Sequence, residues 1–384
     1  MNTAYIIDAI RTPIGRMYGT LSTIRPDDLV VAIIQELLER NAKVDPNAIA
    51  DLLLGCANQA GEDNRNIARQ AVLLAGLPKH IPGGTINRLC ASGMESIQLA
   101  AKSIWLGEGD VYLAGGVETM SRSPFVESRI DGERVDSTIG WRFVNPKLQE
   151  HYQPLQMAET VEFLASKYNI SRQEQDKYAH ASRLKYQDAL EQDFWSKELI
   201  KINELQQDEQ HRVLKLNTMA KLPSMVKGGQ FVTVGNSARG GDGAALVLLA
   251  SEKYVKENDL KPIAKIRSIA LTATHPNDMG IATVESTKLA LKRAKLDIED
   301  LDNIELSESF AAQVLASIKE LNLNENLVNI DGGGISTGNP TGMGAARLLV
   351  TLMNRMQQNK DLQYCLATTG AGLGIGASII VERC

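Results

Sequence analysis

A strand–helix alternation runs through this chain twice, with a long polar stretch set into the first pass, and that arrangement limits the folds open to it. The first pass begins with an apolar run at 5–9 that ends in a turn at Arg11, Thr12 and Pro13. Pro26-DDLVVAIIQELLERN then puts Leu29, Val30, Ile33, Ile34, Leu37 and Leu38 on one helical face. Asp27 and Asp28 sit in its first turn, where the helix dipole favours acids. Asp51-LLLGCA and Asp110-VYLAGGVE read as buried strands. From 121 to 241 the texture turns polar, with a charged helical segment at 171–192, and alternation resumes at Ala244-ALVLLASEKY. From Lys261 the grammar repeats: strand 264–270, helix 284–294, strand 304–306, helix 310–320. Alternation of this kind predicts an α/β fold, and its repetition predicts an internal duplication. The boundaries follow: a first half of 1–120 with 242–260, an inserted segment of 121–241, and a second half of 261–384.

Composition narrows the function classes. A chain of 384 residues can bury two sizeable cores. Its 43% hydrophobic and 23% charged residues are ordinary for a soluble protein. A net charge of −5 gives no electrostatic case for nucleic acid or an anionic membrane. No apolar run is long enough to span a bilayer, and MNTAYIIDAIRTP lacks the pattern of a signal peptide. The four cysteines (Cys56, Cys90, Cys365, Cys384) form no CxxC pair and the five histidines show no ligand spacing, so no metal site is expected. Scattered cysteines in a chain this long point to a reducing compartment, hence the cytoplasm.

Cys90 is the candidate nucleophile. It lies in Thr85-INRLCASGM, just before a helical stripe of Met94, Ile97, Ala101 and Ile104. A cysteine at a helix N-terminus meets backbone N–H groups and the positive end of the dipole, which predicts a lowered pKa. Cys56 and Cys365 read as core residues. The glycines of GAGLGIG at 370–376 precede a strand-like 377–381 with no helix after it, so they shape loops and are not a dinucleotide fingerprint.

NRLCASG resembles the nucleophile motif of the thiolases. Asp51-LLLGCANQAGEDNRNIARQAVLLAGLP and Thr138-IGWRFVNP resemble stretches of the beta-ketoadipyl-CoA subgroup. AGGVETMS (114–121), ELSESFAAQ (305–313), GGGISTGNPTGMGAAR (332–347) and LATTGAGLGIGAS (366–378) follow in thiolase order. The resemblance covers essentially the whole chain. It implies an α/β fold of two similar halves in five α/β/α/β/α layers, an inserted loop domain that grips coenzyme A, and a homodimer or homotetramer. It implies acyl transfer with acyl-CoA as substrate and no separate cofactor. It also marks departures. Where thiolases carry NEAF, GHPxG and a second cysteine, the Asn, His and Cys positions hold Ser307, Asn339 and Gly370. The coenzyme A loop GNASG reads GNSARG, which places Ala238 at a serine and Arg239 at a glycine. Gly280-IATVES departs from the usual GIGPVPA. Met157 matches a family position near the acyl pocket, though a methionine also serves as packing. Lys221, Lys227 and Arg239 are candidates for coenzyme A phosphates, although a solvated face is the better account of the two lysines.

As the family implies, His activates the nucleophile, the second Cys moves a proton, and Asn and His organise the oxyanion. Losing a general base costs about 10²–10⁴-fold, and an oxyanion donor roughly 10²–10³-fold. Asn339 can donate a hydrogen bond but cannot act as a base, and Ser307 is a poor base without a partner. Three readings follow. Cys90 accepts an acyl group while carbon–carbon chemistry is impaired. Alternatively, as in the decarboxylating ketoacyl synthases, loss of CO₂ supplies the carbanion; Asn339 and Gly370 fit that pattern and Ser307 does not. Or the chain is a non-catalytic acyl-CoA-binding paralogue.

Overall fold

The computed structural model describes residues 2–59, 61–135 and 138–384. Its strands are β1 (Ala4–Arg11), β2 (Gly15–Arg16), β3 (Ile49–Gly55), β4 (Gly84–Ile86), β5 (Val111–Thr119), β6 (Val126–Glu127), β7 (Arg134–Val135), β8 (Gly241–Ser251), β9 (Ala264–Ala273), β10 (Asn303–Leu306), β11 (Tyr364–Ala371) and β12 (Ile375–Arg383). The main sheet runs β10-β11-β12-β9-β1-β8-β5-β3-β4, with the short β2 on β8. The duplication is visible in its pairing. In the first half β3 is parallel to β5, β5 antiparallel to β8, and β8 antiparallel to β1. In the second half β10, β11, β12 and β9 repeat that sequence of directions. The halves join where Tyr5 and Ile6 of β1 meet Lys265 and Ala264 of β9, so the sheet is continuous through only two paired positions.

Three cores separate the layers. Helix Pro26–Arg40 and helix Ile67–Leu74 cover the outer face of the first half-sheet through Leu29, Val30, Ile33 and Ile34. Helix Ala282–Ala294 and helix Ala311–Leu321 cover the outer face of the second. Between the half-sheets lie helix Ser92–Leu106 and helix Gly344–Gln358, whose Met94, Ile97, Ala101, Leu349 and Met353 share one cluster with residues from both halves. That is the five-layered α/β order the resemblance implies. Both flanks of the central helices are covered, so polar residues such as Gln98, Arg347 and Asn354 are buried along with the apolar ones.

Among the described residues, 121–240 add no strand to the main sheet, which the chain rejoins with β8 at Gly241; they contribute the β6–β7 pair and the helices Met157–Lys167 and Arg172–Glu191. Ser171 caps the second of these with Glu174 in a reciprocal capping box. A buried ion cluster pins the insertion to the sheet. Arg11 at the end of β1 donates to Glu198 at 2.5 Å and to both oxygens of Asp208 at 2.7 and 3.0 Å. Asp208 also accepts from the Ile14 N–H and the Tyr186 hydroxyl.

The two central helices start against each other. A Cβ on Gly93 would stand 2.7 Å from the Gly342 carbonyl oxygen and 3.0 Å from Ala346 Cβ, so only glycine permits the approach. Gly93→Ala is therefore expected to lower unfolding free energy by about 1–3 kcal/mol, read from the urea midpoint at unchanged slope.

Candidate active site

Cys90 stands in a turn built by its neighbours. The Asn87 Oδ1 accepts the Leu89 N–H at 3.0 Å, and Ser92 Oγ accepts the Arg88 N–H at 2.8 Å while donating to the Leu89 carbonyl. Leu89 takes φ +52°, the left-handed region that non-glycine residues avoid, and this lifts Cys90 out of the helix that follows. The expectation of a lowered thiol pKa is corrected here. Helix geometry begins only at Ser92 with Ala91 as cap, so Cys90 precedes the N–H groups it was expected to use. Burial pushes its thiol up to about 11; the Gly372 N–H on the sulfur works the other way, and buried Glu118 adds to the rise.

Two cavities of about 310 Å³ each meet at this sulfur. The first is mostly apolar, walled by Leu89, Trp141, Leu155, Met279 and Leu373, with Asn58 and Arg142 as a polar patch. The second runs under the inserted segment past Met225, Ser237, Ala238, Arg239, Phe310 and Asn339. Met157, Ile139, Gly140 and Thr341 border both. Among the described residues no histidine, aspartate or glutamate lines either cavity. His275 is exposed, with its Nδ1 accepting the Asn277 N–H.

The structure gathers some of the expected residues and separates others. Cys90, Met157, Ala238, Arg239 and Asn339 share the second cavity. Asn339 is fixed by its N–H to the Arg239 carbonyl at 2.8 Å. Its Oδ1 is turned onto Gly344, where a Cβ would stand 1.9 Å away, which leaves Nδ2 facing Ser309 Oγ at 3.4 Å. Ser307, Gly370 and Lys221 line neither cavity. The Ser307 N–H is spent on the Thr368 carbonyl at the sheet edge, and Lys221 is exposed. Arg239 is exposed on one side only, and partial desolvation, with the neighbouring Arg212 second, pulls its pKa down.

Three contributors were not singled out from the sequence. Ser309 reaches the cavity where Ser307 does not, because the chain turns into a helix at Ala311. Glu118, buried in β5, accepts from the Ala57 and Asn58 N–H groups and from the Gly342 N–H at 2.9 Å, tying both site loops to one carboxylate. Burial raises its pKa. Arg142 donates to Asn58 Oδ1 on the wall of the first cavity. Arg142 belongs to the Thr138-IGWRFVNP stretch, but nothing in its spacing points to a cavity.

Family models agree with this architecture. The thiolase N-terminal domain matches residues 4–253 and the thiolase C-terminal domain residues 260–383. The chain belongs to the thiolase family. It is thus an acyltransferase by descent. It is 41% identical, over the full length of both chains, to the 3-oxoadipyl-CoA/3-oxo-5,6-dehydrosuberyl-CoA thiolase of Escherichia coli K12 and to a beta-ketoadipyl-CoA thiolase of Acinetobacter baylyi. Among solved structures it resembles human mitochondrial 3-ketoacyl-CoA thiolase in complex with CoA, with a TM-score of 0.91 at 31% identity, covering 100% of this chain and 98% of that one. The acetyl-CoA acetyltransferase of Bacillus anthracis gives 0.90 at 33%, covering 100% and 99%. Among the described residues of this thiolase-family protein, no helix is long and apolar enough to cross a membrane and no acid, histidine and cysteine cluster could hold a metal.

With the thiol near 11, the nucleophilic thiolate is scarce at neutral pH. Alkylation of Cys90 by iodoacetamide should accelerate about tenfold per pH unit from 7 to 10, followed by intact mass against Cys90→Ala. A rate that levels off near pH 7 would contradict the burial argument.

Proposed function

We propose that this protein takes an acyl group from a coenzyme A thioester onto Cys90, and that carbon–carbon bond making or breaking by proton abstraction is weak. One observation carries the reading: Cys90 stands at the junction of two cavities whose described walls hold no carboxylate or imidazole. Coenzyme A would lie in the second cavity beside Met157, Ala238 and Arg239, with its sulfur at Cys90. The sulfur of Cys90 attacks the thioester carbonyl, and its proton passes to the departing coenzyme A sulfur. The Asn339 amide and Ser309 hydroxyl supply donors on that side for the developing oxyanion. Proton abstraction from a substrate α-carbon needs a base that these walls do not offer. The decarboxylating alternative needs a histidine beside Cys90 and Asn339, and the same walls argue against it.

The acyl chain would enter the first cavity. Its apolar walls suit methylenes, and Arg142, which also donates to Asn58 Oδ1, lies on the same wall as a cation for an acid at the end of the chain. The curated relatives are named for 3-oxoadipyl and beta-ketoadipyl groups, which end in a carboxylate. Arg142, more than those names, supports a dicarboxylic acyl-CoA as donor here.

Intact-protein mass spectrometry after incubation with a panel of acyl-CoAs tests the first step. An acyl adduct is expected on the unmodified protein and not on Cys90→Ala; no adduct from any donor, in folded protein, rejects the reading. For the donor, Arg142→Ala should slow adduct formation from adipyl-CoA about 10–100-fold, the worth of one charged hydrogen-bonded contact. Butyryl-CoA should respond far less. Equal losses for both donors would remove Arg142 from acyl recognition.

A further inference from the structure

Leu373 holds a backbone conformation that suits its side chain poorly. It takes φ +66° and ψ 16°, the left-handed region, where the Cβ of an ordinary residue crowds the following carbonyl oxygen. A leucine stays there only when its surroundings impose it. Gly374 does so: its carbonyl accepts the Thr274 N–H at 2.7 Å, and a Cβ on it would stand 2.6 Å from the Thr274 and His275 carbonyl oxygens. The side chain so held is not drawn into the core, for Leu373 is 42% exposed. Its place is the wall of the first cavity, one residue after the Gly372 whose N–H meets the Cys90 sulfur. Leu89 lies on that wall too, its Cδ1 3.1 Å from where a Gly372 Cβ would stand. Among the described residues, Leu89 and Leu373 are the two aliphatic side chains at positive φ, and neither lines the second cavity.

We propose that Leu373, together with Leu89, selects the acyl donor: the pair covers the methylenes next to the thioester and favours longer acyl groups over acetyl. The inference rests on Cys90 being the acyl acceptor with the acyl chain in the first cavity. With coenzyme A in the second cavity, a chain on Cys90 leaves the sulfur past Gly372 and Leu373. An acetyl group ends in one methyl beside the thioester carbonyl and covers little of either leucine. A chain of several methylenes covers apolar surface that Leu373 otherwise shows to water, which favours its binding. A methylene gained or lost in an apolar pocket changes specificity about 10–200-fold. Leu373 has no side-chain polar atom to offer the reaction, so it acts on which donor is held and not on proton movement. Glycine would take the same φ without strain but would remove this part of the wall, which ties the strained leucine to the donor.

The test compares acyl-Cys90 formation from acetyl-, butyryl- and adipyl-CoA in the full chain, followed by intact mass at low donor concentration. Leu373→Gly and Leu373→Asn both accept the left-handed conformation, so neither is expected to lower the urea midpoint. In both, the butyryl and adipyl rates should fall about tenfold while the acetyl rate stays within about twofold. Leu373→Met keeps the apolar bulk and should hold the ratios of the unmodified protein to about threefold. Loss with butyryl as well as adipyl separates this contact from Arg142, which answers to the carboxylate. Rates that fall equally for all three donors, or ratios unchanged in the Gly and Asn variants, overturn the proposal while leaving Cys90 as the acceptor. No adduct from any donor on the unmodified protein overturns the reading of Cys90 and this inference with it.

Discussion

The contact between the starts of the two central helices governs this site. Gly93 sits against the Gly342 carbonyl, and a Cβ on Gly116 would meet that same oxygen at 2.1 Å. Backbone can approach backbone this closely only where side chains are absent. Because the helices come from different halves of a duplicated fold, their contact brings Cys90 and Asn339 to one cavity across 249 residues of chain. Glu118 secures the arrangement by accepting N–H groups from the loops on both sides. The cavity is the gap left where two helices start and the covering insertion passes over.

That insertion depends on charge. Arg11 is wholly buried, yet both its acidic partners belong to residues 121–241. Breaking such a pair leaves an uncompensated charge in the interior, so the cluster specifies one docking position more strongly than apolar packing alone would. Docking there is what turns an open helix start into two bounded cavities. The chemistry inherits the consequence: a desolvated thiol raised well above neutrality, amide and hydroxyl donors nearby, and, among the described residues, no carboxylate or imidazole on the walls.

Much of the architecture was legible residue by residue. The stripe from Leu29 to Leu38 became an outer helix, Asp110-VYLAGGVE became a fully buried strand, and the second pass from Lys261 became the second half-sheet. Helix ends shifted by only one or two residues, as at 310–320 against Ala311–Leu321. The site was less legible. Ser307 was expected in it, and Ser309 is the serine on the cavity wall; residues two apart would share a face on a strand, but β10 ends at Leu306 and the helix begins at Ala311, so the turn between them decides which serine reaches the cavity. Cys90 was expected inside a helix terminus, but the left-handed Leu89 holds it outside.

By itself, then, the order of residues determined what is local or periodic: strands and helices, their repetition, the polar insertion, the nucleophile's turn, and motifs in thiolase order. Each depends on spacing within one segment, and spacing is written in the sequence. Tertiary structure alone decided the thiol's desolvation, the apposition of Asn339 with Ser309, and the place of Arg142 and of the left-handed Leu373 on a cavity wall. Those depend on which distant backbones close on one another and how completely they exclude water, and no single segment carries that information.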